Sequence, residues 1–106
     1  VLLTSLRTEA TGENEIELLA AEGGGFWLLR TPMLPLSVNG AGDAIAALFL
    51  FHRLHSGAAA PALEAAASSI FGLLSQTLAA GARELQVVAA QAEITAPTRR
   101  FKAEAC

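Results

Sequence analysis

Three observations predict an α/β fold for this 106-residue chain. Short apolar runs are confined to its first third, a glycine triplet separates two of them, and two long alanine-rich stretches with helical spacing follow residue 43. A composition of 53% hydrophobic and 16% charged residues supplies a core and argues against a disordered tail. With 23 alanines, closely packed helices are a better expectation than a sandwich of β-branched strands.

Val1 to Leu6 is a short apolar run flanked by Thr4, Ser5 and Thr8 and reads as a strand leaving into a polar loop over Arg7 to Asn14. Ile16 to Ala21 and Phe26 to Arg30 are apolar runs joined by Glu22-Gly23-Gly24-Gly25, which reads as a β-hairpin. The triplet could also suggest a phosphate loop, but it lacks a following Lys-Ser/Thr and precedes a strand, so a plain turn is preferred. Thr31-Pro32-Met33-Leu34-Pro35 is a proline-stiffened extended segment leading into Asn39-Gly40-Ala41-Gly42-Asp43. From Ala44 to Phe51 the chain is apolar on every face, the pattern of a buried helix. A second helix is expected from Pro61, a favoured first-turn residue, to Gly81, a favoured stop. Leu63, Ala66, Ala67, Ile70, Phe71, Leu74 and Leu78 make up its apolar face. Glu84 to Ile94 suggests a short helix ended by Pro97, and Phe101 to Ala105 a brief terminal strand.

Charge and cysteine content narrow the function classes. A net charge of −3, with Arg99, Arg100 and Lys102 as the one basic cluster, weighs against a nucleic-acid surface. The single cysteine, Cys106, excludes an internal disulfide and a cysteine-based zinc site, which fits a reducing compartment and gives a cytoplasmic expectation. The apolar run from Ala44 to Phe51 is far short of the roughly 20 residues that span a bilayer, so no membrane partner is expected. No secretory signal is visible. Val1-Leu2-Leu3 opens directly in a strand-like run without a methionine. The expectation is therefore a piece of a longer protein, which exposes core surface and lacks activity when alone.

The chemistry concentrates at Asn39-Gly40-Ala41-Gly42-Asp43. Two glycines at a helix start let backbone N–H groups converge on one point, a concavity that binds anions. Asp43, the only aspartate in the chain, stands beside it and could accept a proton from a hydroxyl attacking a bound phosphate. On spacing alone the plainer reading is a carboxylate that caps a helix behind a glycine turn. His52 and His55 stand at i, i+3, but two ligands without a third make a poor metal site, so helix-end residues are expected there.

Gly40-Ala41-Gly42-Asp43-Ala44-Ile45-Ala46-Ala47-Leu48-Phe49-Leu50 resembles the GxGD segment that opens a buried helix in the ribokinase-like superfamily. Within that superfamily the chain is most similar to the pyridoxal kinase family. The similarity is carried by Val1-Leu2-Leu3-Thr4-Ser5, Phe26-Trp27-Leu28-Leu29-Arg30-Thr31-Pro32, Glu84-Leu85-Gln86-Val87-Val88-Ala89-Ala90-Gln91, and the tail with Ile94, Pro97, Phe101 and Ala103. The resemblance implies that residues 1–106 are the C-terminal portion of one ribokinase-like three-layer domain, with strands and a β-hairpin followed by two long helices. It also implies phosphorylation of the 5′-hydroxyl of pyridoxal, or a related B6 vitamer, by ATP with Mg2+ in vitamin B6 salvage, in a cytoplasmic homodimer. Under it, Asp43 is the catalytic base at the substrate, Gly40, Ala41 and Gly42 form the anion hole, and Thr4, Thr31, Pro32, Met33 and Leu34 contact ATP. The family's acidic magnesium motif and most of its substrate pocket are upstream, so no metal ligand is assigned here.

Two alternatives belong to other classes. Another ribokinase-like kinase, for a sugar or a hydroxymethylpyrimidine, would share GxGD without the ELQVVAAQ stretch. A non-catalytic interaction fragment would use the apolar faces of the helical pair Ala44–Leu54 and Pro61–Ala80, and nucleotide binding would separate it from the kinases.

Overall fold

Gly23 and Gly24 adopt φ values of 56° and 81°. Two consecutive left-handed residues define the tight turn whose twist matches a hairpin, and side chains would be strained at both positions. The computed structural model describes residues 2–6, 15–34, 41–81, 85, 87 and 90–105. The hairpin joins strand β2 (Glu15–Glu22), which follows β1 (Leu2–Leu6), to strand β3 (Gly25–Pro32). β2 and β3 stay in unbroken register from Glu15 opposite Pro32 to Glu22 opposite Gly25. β1 pairs antiparallel with β2, with an irregularity between the Leu3–Leu19 and Leu6–Glu17 pairs. The expected terminal strand is the two-residue β4 (Glu104–Ala105), paired antiparallel with β3. The described residues thus form a four-stranded sheet in the order β1-β2-β3-β4. Alternation along the hairpin turns Leu18, Ala20 and Leu29 into the core.

The two long helices are α1 (Ala41–Ser56) and α2 (Ala59–Ala80), and a single turn, α3 (Ala92–Thr95), follows. Gly81 ends α2 in the left-handed conformation, its N–H donating to Leu78 O, as expected of a glycine stop. The environments of the two helices reverse the expectation. α1, apolar nearly all round, buries Ile45 and packs chiefly on α2, while Leu50, Phe51 and Leu54 are 59%, 52% and 72% exposed. No described element covers that face, so its composition did not translate into burial. α2 is the enclosed helix, lying against β2, β3, α1 and α3 at once. Leu63, Ala66, Ala67 and Ile70 are buried as expected, but so are Leu73, Ser68, Ser69 and Thr77, and Leu78 is exposed.

The buried hydroxyls of α2 are satisfied. Ser69 Oγ donates to Ile94 O at 3.2 Å, Thr77 Oγ1 to Leu73 O at 2.7 Å, and Ser68 Oγ accepts from Phe101 N–H at 2.9 Å. Glu64 likewise accepts from Ala103 N–H at 2.8 Å, so one face of α2 holds the C-terminal segment in place. The helix expected over Glu84 to Ile94 is corrected. Among the described residues of this segment helical structure is found at Ala92–Thr95, Leu85 is irregular and Val87 lies in a turn, while residues 82–84, 86, 88 and 89 lie outside the described residues. The expected loop from Arg7 to Asn14 also lies outside them, as do Val1, Cys106 and residues 35–40.

Candidate active site

Because β2 and β3 are antiparallel, Ile16 stands opposite Thr31 at the end of the sheet where β3 finishes. α1 begins at that same end. The result is an apolar cleft with two adjoining hollows of about 130 and 360 Å³. Ile16, Leu18, Thr31, Ala41, Ile70 and Leu74 line both hollows. Gly42 and Ile45 close the α1 end, and Pro32, Met33, Leu34 and Phe71 the other. Thr31, the polar side chain of the lining, is buried at 6% exposure. Six of the residues singled out in the sequence, Thr31 to Leu34 with Ala41 and Gly42, therefore meet around one cavity.

Gly42 is exposed, and a Cβ built there meets nothing within 4 Å. Open space at a helix N-terminus is what an incoming anion needs, since the first-turn N–H groups have no acceptors within the helix. Asp43 lies in that first turn, one residue beyond the cleft-lining Gly42, with an exposed side chain. Its carboxylate has no hydrogen-bond or ion-pair partner among the described residues. Gly40 lies outside the described residues. Thr4 is on β1, in the irregular stretch between the Leu3 and Leu6 pairs, and β2 separates that strand from β3.

Among the described residues no group of three His, Cys, Asp or Glu side chains could hold a metal ion. Magnesium is usually held by one or two carboxylates with substrate phosphates. No acidic side chain is among the described residues that line the two hollows, and Asp43 stands one residue beyond that lining, so the lining does not make a magnesium site by itself. The histidine pair behaves as helix-end residues: His55 Nδ1 lies 2.9 Å from Phe51 O, and its ring stacks on Phe51 at 4.1 Å. His52 Nε2 is buried without a hydrogen-bond partner among the described residues, and burial, then the neighbouring His55, lowers its pKa.

Sequence reasoning treated Ile16, Leu18, Ile70, Phe71 and Leu74 as core residues, not as cleft walls. Apolar alternation signals burial but cannot tell a packed interior from a cavity lining. It also missed two carboxylates that organise the frame. Glu22 Oε2 accepts from Arg53 Nε while its Oε1 accepts from Ala59 N–H at 3.3 Å, which ties the hairpin to the α1–α2 corner. Glu93 is buried and accepts from Thr98 N–H at 2.8 Å, Thr98 Oγ1 at 2.5 Å and Gln76 Nε2 at 3.2 Å. These bonds, Thr98's side chain foremost, lower its pKa against the opposing effect of burial.

No protein-family model matches the chain. Among curated proteins it is 54% identical over all 106 residues to pyridoxal kinase PdxY of Granulibacter bethesdensis, covering 37% of that protein. It is 55% identical over 102 residues, 95% of the chain, to pyridoxal kinase PdxY of Rubrobacter xylanophilus, covering 35% of it. Two solved structures share the fold. A protein assigned as a phosphomethylpyrimidine kinase from Bacteroides thetaiotaomicron superposes with a TM-score of 0.84 at 16% identity, over 99% of this chain and 37% of its own. Pyridoxal kinase from Entamoeba histolytica gives 0.80 at 18% identity, over 99% and 37%. The chain thus spans little more than a third of the length of these relatives and matches their C-terminal part.

Proposed function

We propose that this chain, a homologue along its whole length of the C-terminal part of pyridoxal kinases, supplies the nucleotide cleft and the general base of an enzyme that phosphorylates the 5′-hydroxyl of pyridoxal with ATP. The observation that carries the reading is the 54% identity over all 106 residues, together with a cleft that Ala41 and Gly42 at the start of α1 line and that Asp43 follows in the same first turn.

Each part of the site has a defined task. The apolar walls from Thr31 to Leu34 take the nucleotide. The N–H groups at the start of α1, at Ala41 and Gly42 with Gly40 preceding them, receive the transferring phosphoryl group, whose negative charge the helix end favours. Asp43 accepts the proton of the 5′-hydroxyl as its oxygen forms the new bond to the γ-phosphorus and the bond from phosphorus to the β-phosphate oxygen breaks. ADP and pyridoxal 5′-phosphate result. Thr4 belongs to this reading as a nucleotide contact. No described residue of this chain is assigned to the expected magnesium.

The family resemblance also brings a cytoplasmic homodimer and the salvage of vitamin B6 into the proposal. A second reading, phosphorylation of a hydroxymethylpyrimidine, draws on the superposition with the phosphomethylpyrimidine kinase structure, but sequence identity of 16% there against 54% to a pyridoxal kinase favours pyridoxal. The test is to supply the full-length protein with ATP and either pyridoxal or hydroxymethylpyrimidine and to follow phosphorylated product. Pyridoxal 5′-phosphate should form with the higher kcat/KM, and preferential phosphorylation of the pyrimidine would overturn the assignment.

A further inference from the structure

Phe71 is the one aromatic side chain lining the cleft among the described residues, at the end away from Gly42. It also borders a separate hollow behind the cleft together with Arg99. Its ring is held from that outer side. Phe101 meets it edge-to-face at 5.0 Å and 73°, and the Arg99 guanidinium stands 5.5 Å from the Phe71 centroid and 5.0 Å from that of Phe101. These distances lie within the ranges for aromatic pairing and for a cation over a ring.

The segment carrying Arg99 and Phe101 is fixed on both sides. Glu93 holds Thr98, and Ser68 holds the Phe101 backbone. We infer that Phe71 is a specificity-determining wall for the nucleobase, and that Arg99 and Phe101 are positioning residues that set its ring. The inference rests on the nucleotide reading above. If the phosphates sit at the α1 N-terminus, the base end of the nucleotide extends toward Met33, Leu34 and Phe71, where a flat ring finds an apolar cavity with one pinned aromatic wall. The C-terminal segment then acts on nucleotide affinity without touching the nucleotide.

The experiment is titration calorimetry of AMP-PNP with the full-length protein, with thermal melting as a check of the fold. Phe71→Leu keeps most of the volume and guards against unfolding. It should weaken AMP-PNP roughly 5- to 10-fold, and Phe71→Tyr by less than about twofold, since a ring remains. Arg99→Gln should weaken it roughly two- to fivefold and Arg99→Lys, which keeps the cation, by less. In turnover, Phe71→Leu and Arg99→Gln should raise KM for ATP while kcat and KM for pyridoxal stay within about twofold, a split that a merely structural role would not produce. Wild-type binding of AMP-PNP with unchanged affinity in Phe71→Leu would overturn this inference and leave the nucleotide reading standing. Equal weakening toward ATP and pyridoxal together with a lowered melting temperature would overturn it as well. A wild-type protein that does not bind AMP-PNP would overturn the nucleotide reading and the inference with it.

Discussion

Gly72 lies directly under Glu93: a Cβ at position 72 would stand 2.6 Å from Glu93 Cδ, closer than real side chains approach. The glycine in the middle of α2 is therefore a seat for the buried carboxylate that holds Thr98 and, through it, the C-terminal segment.

Helix propensity alone says that Gly72→Ala should stabilise α2 by up to about 1 kcal/mol. The overlap with Glu93 reverses the sign, and a loss of about 1–3 kcal/mol is expected in urea unfolding. In a Glu93→Ala background the methyl group has room, so the same substitution should cost little or become favourable. A double-mutant cycle measures that coupling.

Glu22 joins three elements, and its two contacts can be separated. Arg53→Ala removes an ion pair whose side chains are both more than a third exposed, and should cost less than about 1 kcal/mol. Glu22→Ala also strips the acceptor from Ala59 N–H at an α2 start that has no side-chain cap of its own. Its cost should be larger, about 1–2 kcal/mol, with Glu22→Gln intermediate. Equal losses for Arg53→Ala and Glu22→Ala in thermal unfolding would show that the cap contributes nothing.

Glu93 contributes to the acid limb of stability. Its pKa is lowered in the folded protein, first by Thr98, so the unfolded chain takes up this proton at a higher pH than the folded one. The stabilisation is fully present above the usual carboxylate range and is lost as pH falls through the lower, folded value. Thr98→Val removes the hydroxyl, the first-named cause of the lowering, and should be destabilised at neutral pH. The gap to the parent should close as pH drops below the carboxylate range, as measured by urea unfolding at a series of pH values.

Gly42→Ala separates fold from function. A Cβ there meets nothing, and an exposed helical Gly→Ala change is neutral or stabilising by up to about 1 kcal/mol. If the open space receives the transferring phosphoryl group, kcat should nevertheless fall by roughly tenfold or more. A stable Gly42→Ala protein with parental kcat would remove Gly42 from the site.

Local chemistry was the legible part of this molecule. Gly23 and Gly24 announced the hairpin and Gly81 the end of α2, because positive φ is a property of single residues. Thr31 to Leu34 and Ala41-Gly42 were individually visible, and their convergence follows from the antiparallel register that brings the end of β3 to the start of α1. Burial was not legible for the two long helices. α1 has the more uniformly apolar surface, yet described elements cover only part of it. α2 carries Ser68, Ser69 and Thr77 and is enclosed, because the C-terminal segment and a carbonyl of its own helix satisfy those hydroxyls. Glu22 was invisible as an organiser because its partner Arg53 lies 31 residues away, and Glu93 because nothing local shows that its carboxylate is buried against Gly72 of α2.

The central claim, that Asp43 is the proton acceptor in phosphoryl transfer, is tested most directly by the turnover of Asp43→Asn in the full-length protein with ATP and pyridoxal. Asparagine keeps the shape of the side chain and caps a helix about as well as aspartate, but cannot take the proton. The account predicts a fall in kcat on the order of 10² to 10⁴, with AMP-PNP affinity within a few-fold of the parent's and an unchanged melting temperature. Near-parental kcat in a folded, nucleotide-binding Asp43→Asn protein would contradict it.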